Sequence, residues 1–143
     1  MKKIIALLLF VPLIALAQKT PQGVTYDAVF TRVIDGDTVA FQALFLPDPL
    51  KRELALRVYG VDTPEKGHRA KCSSENERGQ AATAFTRNAI NSSQKRQIVL
   101  MSWDKYGGRV LGDILLDGKS LRTMLIERGF AREYYGDAKT SWC

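Results

Sequence analysis

From Ala28 onward the chain alternates short apolar, β-branched runs with tight polar breaks, and only two stretches change to helical spacing. Ala28 to Ile34 and Thr38 to Phe45 are rich in Val, Phe, Thr and Ile, and Asp35-Gly36 between them is a two-residue hairpin signal. Pro47-Asp48-Pro49 breaks the chain. Glu53 to Val61 then sets Leu54, Leu56 and Val58 against Ala55, Arg57 and Tyr59, which predicts a third strand with Arg57 turned away from the core. Lys66 to Glu75 is polar and reads as an exposed loop. Ala81, Phe85 and Ala89 recur at helical spacing and predict a helix over Asn76 to Ser92, its first turn slightly weakened by Gly79. Two further strands follow at Gln97 to Ser102 and Arg109 to Leu116, joined by a turn over Asp104 to Gly108. Ser120 can cap a second helix with Leu121, Met124 and Leu125 inward, and Gly129 ends it.

Three strands, a helix, two strands and a helix is the element order of an α+β domain. The expected architecture is a five-stranded OB-fold-like β-barrel with two packed helices, a fold that often binds nucleic acid. The domain spans residues 28–143, preceded by an N-terminal leader over 18–27 in which Pro21 and Gly23 suggest loose chain.

Residues 1–17 read as a signal peptide: Lys2 and Lys3, an apolar run from Ile4 to Leu16, and Ala15-Leu16-Ala17 as a small-x-small cleavage site. The run is shorter than the about 20 residues a spanning helix needs. An exported chain, periplasmic or secreted, with no stable membrane association is expected, as is a monomer. The formal charge of +6 includes the two lysines of that leader, so the mature chain stays basic. Basicity alone fits a polyanionic partner and ordinary solubility equally well.

Cys72 and Cys143 are the two cysteines. In an oxidising compartment they predict one disulfide, closing a loop that the chain-entropy model values at about 4 kcal/mol. Zinc is the rival, but two cysteines and His68 fall short of four ligands without carboxylates.

The residues that can carry chemistry lie in three strings. Asp37, beside the hairpin turn, reads alone as turn chemistry or a solvated acid. Asp62-Thr63-Pro64-Glu65 at the end of a strand changes that reading, because Asp37, Asp62 and the Thr63 carbonyl together offer all-oxygen ligands to one hard cation. Irregular loop donors favour calcium over magnesium, and both over zinc. Glu65 is placed to accept a proton from an attacking water or to hold it in line. His68, between Lys66 and Arg69 in sequence, has no evident carboxylate partner and is not favoured as the base. Arg57 and Arg109, from different strands, can each match two phosphate oxygens with a planar guanidinium. Lys105, Tyr106, Tyr134 and Tyr135 offer a cation and flat rings for a flanking phosphate and a base.

These residues resemble the staphylococcal (micrococcal) nuclease, or thermonuclease, family. Ile34-Asp35-Gly36-Asp37-Thr38-Val39 looks like its first metal motif, Arg57 through Glu65 its central motif, and Asp104-Lys105-Tyr106-Gly107-Gly108-Arg109 its third. Ala82-Thr83-Ala84-Phe85-Thr86 and Glu127-Arg128-Gly129-Phe130-Ala131 look like its helices, so the similarity runs from about Val33 to Tyr135. The resemblance implies a calcium-dependent nuclease that cleaves DNA and RNA to leave a 5'-hydroxyl and a 3'-phosphate. It implies Asp37, Asp62 and the Thr63 carbonyl as Ca2+ ligands, Arg57 and Arg109 on the scissile phosphate, and Glu65 as general base. Lys105 and Tyr106 would lie by a neighbouring phosphate, with Tyr134 or Tyr135 on the nucleotide. Gly107-Gly108 is one residue longer than the Tyr-Gly-Arg of the family's best-known member, and the third helix of that member is largely missing. A disulfide to Cys143 would tie down the short tail instead, bringing Trp142 back against the helix-bearing half. A binding module that has lost cleavage, or an interaction domain with ordinary surface ion pairs, are the competing readings.

Overall fold

The computed structural model describes residues 23–48, 52–105 and 107–143. The expectations for the signal peptide and most of the leader, for Pro49 and for Tyr106 lie outside them.

Seven strands form the main sheet. In chain order they are β1 (Val24–Asp27), β2 (Val29–Asp35), β3 (Thr38–Gln42), β4 (Glu53–Val58), β6 (Arg96–Trp103), β7 (Arg109–Leu116) and the short β8 (Lys119–Ser120). They lie in the order β1-β6-β7-β4-β3-β2, with β8 on β7. The strands at the two ends are neighbours in the chain, separated only by Ala28, whose N–H donates to the Arg96 carbonyl at 3.0 Å. The sheet therefore curls into a barrel-like form around Val39, Phe41, Leu56, Val58, Ile98 and Ile114, all fully buried. Helices α1 (Ser73–Ser92) and α2 (Leu121–Glu127) pack on it, and Leu121 and Leu125 of α2 enter the same core.

Both helices form where the spacing places them, though α1 starts three residues earlier than expected, after Cys72. Ser120 caps α2, its hydroxyl oxygen accepting from the Thr123 N–H at 3.2 Å. Three expectations change. Val24–Asp27, expected as the end of the leader, pairs with β6 in register Val24↔Leu100. The hairpin turn is Gly36-Asp37 rather than Asp35-Gly36, since Asp35 pairs with Thr38. Gly36 has ordinary backbone angles; a Cβ there would sit 2.8 Å from the Ala82 Cβ, so glycine serves the close approach of α1.

The third change positions the site. The expected strand over Glu53 to Val61 breaks at Tyr59-Gly60, where Gly60 takes φ of 76°. A side chain pays a steric cost in that left-handed conformation, and glycine does not. The chain leaves the main sheet there and resumes as β5 (Val61–Asp62), pairing with β9 (Arg132–Glu133) in a separate ladder. This break carries Asp62 out of the barrel wall and towards the C-terminal tail.

Candidate active site

Asp37 and Asp62 are both buried, 5% and 6% exposed. Asp37 sits in the turn after β2, held by its neighbours: the Thr38 hydroxyl donates to its Oδ1 at 2.9 Å and the Thr63 N–H to its Oδ2 at 3.4 Å. The Val58 N–H donates to its backbone carbonyl at 2.8 Å, tying the turn to β4. Buried carboxylates need such partners, because an ion without them is driven to neutralise.

Arg57 projects from β4 beside that carboxylate. Its NH2 lies 3.7 Å from Asp37 Oδ2 and donates to the Val61 carbonyl at 3.3 Å. Arg109 begins β7, which runs parallel to β4 with Arg109 opposite Ala55; Arg57 is two residues further on, so the two guanidinium groups leave the same sheet face. In the preceding turn Gly107 and Gly108 both take φ above 60°. Arg57 and Arg109 open onto one cleft of about 440 Å³, whose walls also carry Lys105, Tyr134, Tyr135 and Lys139. Arg109 is paired there with Asp104 through Nε and NH2. The Tyr135 hydroxyl is hydrogen-bonded by Arg122 NH2, and its ring meets Tyr59 edge to face at 5.8 Å.

Glu65 follows Pro64 on a loop clamped by α1. The buried Glu75 carboxylate accepts from the Glu65 N–H at 3.3 Å and the Lys71 N–H at 2.7 Å. Gly79 packs against the same loop so tightly that a Cβ would lie 2.3 Å from the Glu65 carbonyl oxygen. The Glu65 side chain meets Arg69 Nε at 3.3 Å, and Arg69 NH2 also reaches Asp35 Oδ2 at 2.6 Å. Partial burial pushes the Glu65 carboxyl above its ordinary range; Arg69 opposes this, and Asp35 and Asp37 reinforce it.

Asp62 has partners that its own neighbourhood does not supply. Lys139 Nζ lies 2.7 Å from its Oδ1, and the Trp142 indole N–H donates to its Oδ2 at 3.0 Å. Both come from the tail, which ends at Cys143, bonded to Cys72 with their Cα atoms 6.0 Å apart. The two sulfurs are joined to each other, so they offer no thiolates to zinc.

A family model described as "Staphylococcal nuclease homologue" matches residues 55–141, more than half of the chain. The chain belongs to this family. Endonuclease YhcR of Bacillus subtilis (strain 168) is 27% identical over 116 residues, which is 77% of this chain and 9% of that protein. The chain thus spans less than a tenth of that relative's length.

The candidate residues fall into two adjoining groups. Asp37, Asp62, Thr63 and Glu65 form the acidic side, and Arg109, Lys105, Tyr134 and Tyr135 the cleft, with Arg57 bridging them. Tyr106 lies outside the described residues. The sequence reading did not pick out Lys139, Glu75, Arg69 or Asp104, and it took Asp35 for turn chemistry alone. Asp104 stood inside a quoted motif, five residues before Arg109, and was the easiest of these to find. Asp35 Oδ1 is a buried oxygen with no hydrogen-bond partner among the described residues.

Proposed function

We propose that this chain is an exported, calcium-dependent nuclease that hydrolyses phosphodiester bonds of DNA and RNA. The observation that carries the reading is Arg57, whose guanidinium lies against the Asp37 carboxylate on one side and opens onto the arginine- and tyrosine-lined cleft on the other. A phosphate bound by Arg57 therefore lies next to the acidic group.

The donor chemistry of the acidic group suits a hard cation. Asp37, Asp62 and the Thr63 carbonyl are all oxygen donors, and the Lys139 ammonium already stands as a positive charge against Asp62. Bound there, calcium supplies charge that favours the extra negative charge of the pentacoordinate transition state. The protein's own groups do the rest. Arg57 and Arg109 hold the phosphate oxygens, with Asp104 fixing the direction of the Arg109 guanidinium. Glu65, on its clamped loop, takes the proton of the attacking water or aligns it. The Tyr134 and Tyr135 rings offer stacking faces to the flanking bases. The family resemblance implies 5'-hydroxyl and 3'-phosphate ends.

Export is supported by the N-terminal pattern and by the Cys72–Cys143 bond. Among the described residues no helix is long and apolar enough to cross a membrane. One observation favours a second reading, a nucleic-acid-binding module without cleavage: both Asp62 oxygens and the Arg109 guanidinium already have partners inside the chain. Incubating the purified protein with single-stranded DNA and RNA, with calcium or with chelator, and analysing the product ends, separates the two. A nuclease shortens the strand only with metal, and Arg57→Ala and Glu65→Gln lose most of the turnover while staying folded. A shifted but intact strand under every condition establishes the binding module.

A further inference from the structure

We infer that the C-terminal strap completes the cation site through Trp142, the positioning residue that orients Asp62. The inference rests on the reading of Asp62 as a cation ligand.

A carboxylate at the end of a two-residue strand is free to turn about its side-chain bonds unless something holds one of its oxygens. Nothing in β5 or β9 does so. The indole N–H of Trp142, some eighty residues later in the chain, donates to Oδ2 at 3.0 Å, and the residue is 8% exposed. An indole N–H only donates and does not titrate in water, so it can hold Oδ2 at any working pH and never itself ligates a cation. Holding Oδ2 turns the other oxygen, Oδ1, to the place where the Lys139 ammonium sits at 2.7 Å. The strap thus gives the two oxygens separate tasks, one to the protein and one to a positive charge. Partners of this kind behind a metal ligand typically contribute 10–100-fold to metal affinity.

Trp142 is itself held from three sides. The Arg132 guanidinium lies 3.7 Å above its ring and donates through NH1 to the Ser141 carbonyl at 2.9 Å. Arg78 NH1, from α1, donates to the Trp142 carbonyl at 3.5 Å. The next residue, Cys143, is joined to Cys72, directly before the first turn of α1. A five-residue strap has no core of its own. The covalent bond at its end keeps the indole against Asp62.

Calcium binding to the full mature chain, measured by calorimetry and by the calcium-induced rise in Tm, tests this with Trp142→Phe, which keeps a ring under Arg132 and removes the N–H. The expected result is a calcium Kd raised about 10-fold or more, a half-saturating calcium concentration for DNA cleavage raised by a similar factor, and a smaller loss at saturating calcium. The Tm without metal should move little. A structural role alone would lower Tm and leave the calcium dependence of turnover in place. Binding by Trp142→Phe within twofold of wild type, or tighter than wild type, overturns the inference. If that variant does not fold, wild type treated with a thiol reductant and the Cys72→Ser/Cys143→Ser double variant are judged by the same criterion. Wild type that binds no calcium overturns the cation reading and this inference together, an outcome distinct from a wild type that binds and a variant that binds equally well.

Discussion

Two buried carboxylates, Asp113 in the barrel strand β7 and Asp62 in the separate β5–β9 ladder, are almost equally hidden, at 2% and 6% exposure, and are held in opposite ways. Asp113 accepts from the Ile114 N–H at 2.8 Å, the Arg122 N–H at 3.2 Å and the Ser120 hydroxyl, all within nine residues of it. Its donors are two fixed backbone groups and a cap hydroxyl, so it locks the β7–α2 connection and has nothing to exchange. Asp62 is held by the ammonium of a half-exposed lysine and by an indole some eighty residues away in the chain. An ammonium can give way to another cation; a backbone N–H cannot. The contrast fits a structural joint at Asp113 and the cation ligand proposed at Asp62.

Substitution should separate the two roles. Asp62→Asn is expected to lower nuclease turnover by about 100-fold or more, the size of effect seen when one preorganised electrostatic group is removed from a transition state. Its folded fraction should stay near wild type, while the calcium-induced rise in Tm disappears; a ligand that binds only the native state must otherwise raise it. Asp113→Ala should do the reverse. It strands one buried and one part-buried N–H donor and the Ser120 hydroxyl, at a cost of about 1–3 kcal/mol for such unsatisfied groups, read by urea unfolding, with calcium binding unaltered in the molecules that remain folded. Equal loss of turnover per folded molecule in both variants would erase the contrast.

Gly79→Ala tests how firmly the acidic side is anchored. In an exposed helix this change gains about 1 kcal/mol. Here the new methyl would meet the Glu65 carbonyl oxygen at 2.3 Å, and a backbone atom cannot swing aside as a side-chain end can. The expected outcome is a net loss of stability, with turnover falling further than stability does because the Glu65 loop must move. A stabilised, fully active variant would show that the loop is not held by this contact. Lys139→Met should act in the other direction and more mildly. It removes the positive charge that competes for Asp62 Oδ1, so calcium should bind several-fold more tightly by calorimetry, the range of surface-to-buried pair energies allowing about 1 kcal/mol. Weaker calcium binding in that variant would mean that the lysine supports the site rather than competing for it.

What the sequence made legible was local. The β7 strand and the Ser120 cap depend on neighbours within one or two turns of chain, and both formed where pattern placed them; the strand carrying Arg57 formed only to Val58, because Gly60 turns the chain out of the sheet. Where glycine answered to distant chain, pattern misled: Gly36 looked like hairpin chemistry and Gly79 like a weak helix residue, yet both are there because another segment passes within contact. Val24–Asp27 was hidden for a different reason. Most of it is exposed, so its burial leaves no alternation to read. Lys139 belonged to no motif, and its meeting with Asp62 follows from a tail path that the cysteine pair only hinted at. Trp142 was expected to return to the helix-bearing half, but its partner there could not be read from spacing.

The smallest expected effect is a pH signature that belongs to Asp113. Burial pushes its carboxyl above the ordinary value, and the Ser120, Ile114 and Arg122 donors only partly oppose this. The folded state therefore holds that proton more tightly than the unfolded chain does. The resulting stabilisation is fully present below the unfolded value of 3.8 and is lost as pH rises through the raised folded value. Asp113→Asn has no such proton to lose. The unfolding free energy of wild type minus that of the variant, measured in urea from about pH 3 to about pH 7, should fall across the carboxylate range and then level off. A difference that rises with pH would mean that the three hydrogen bonds outweigh burial and that the joint is held by an ion, bringing Asp113 closer in kind to Asp62 than their partners suggest.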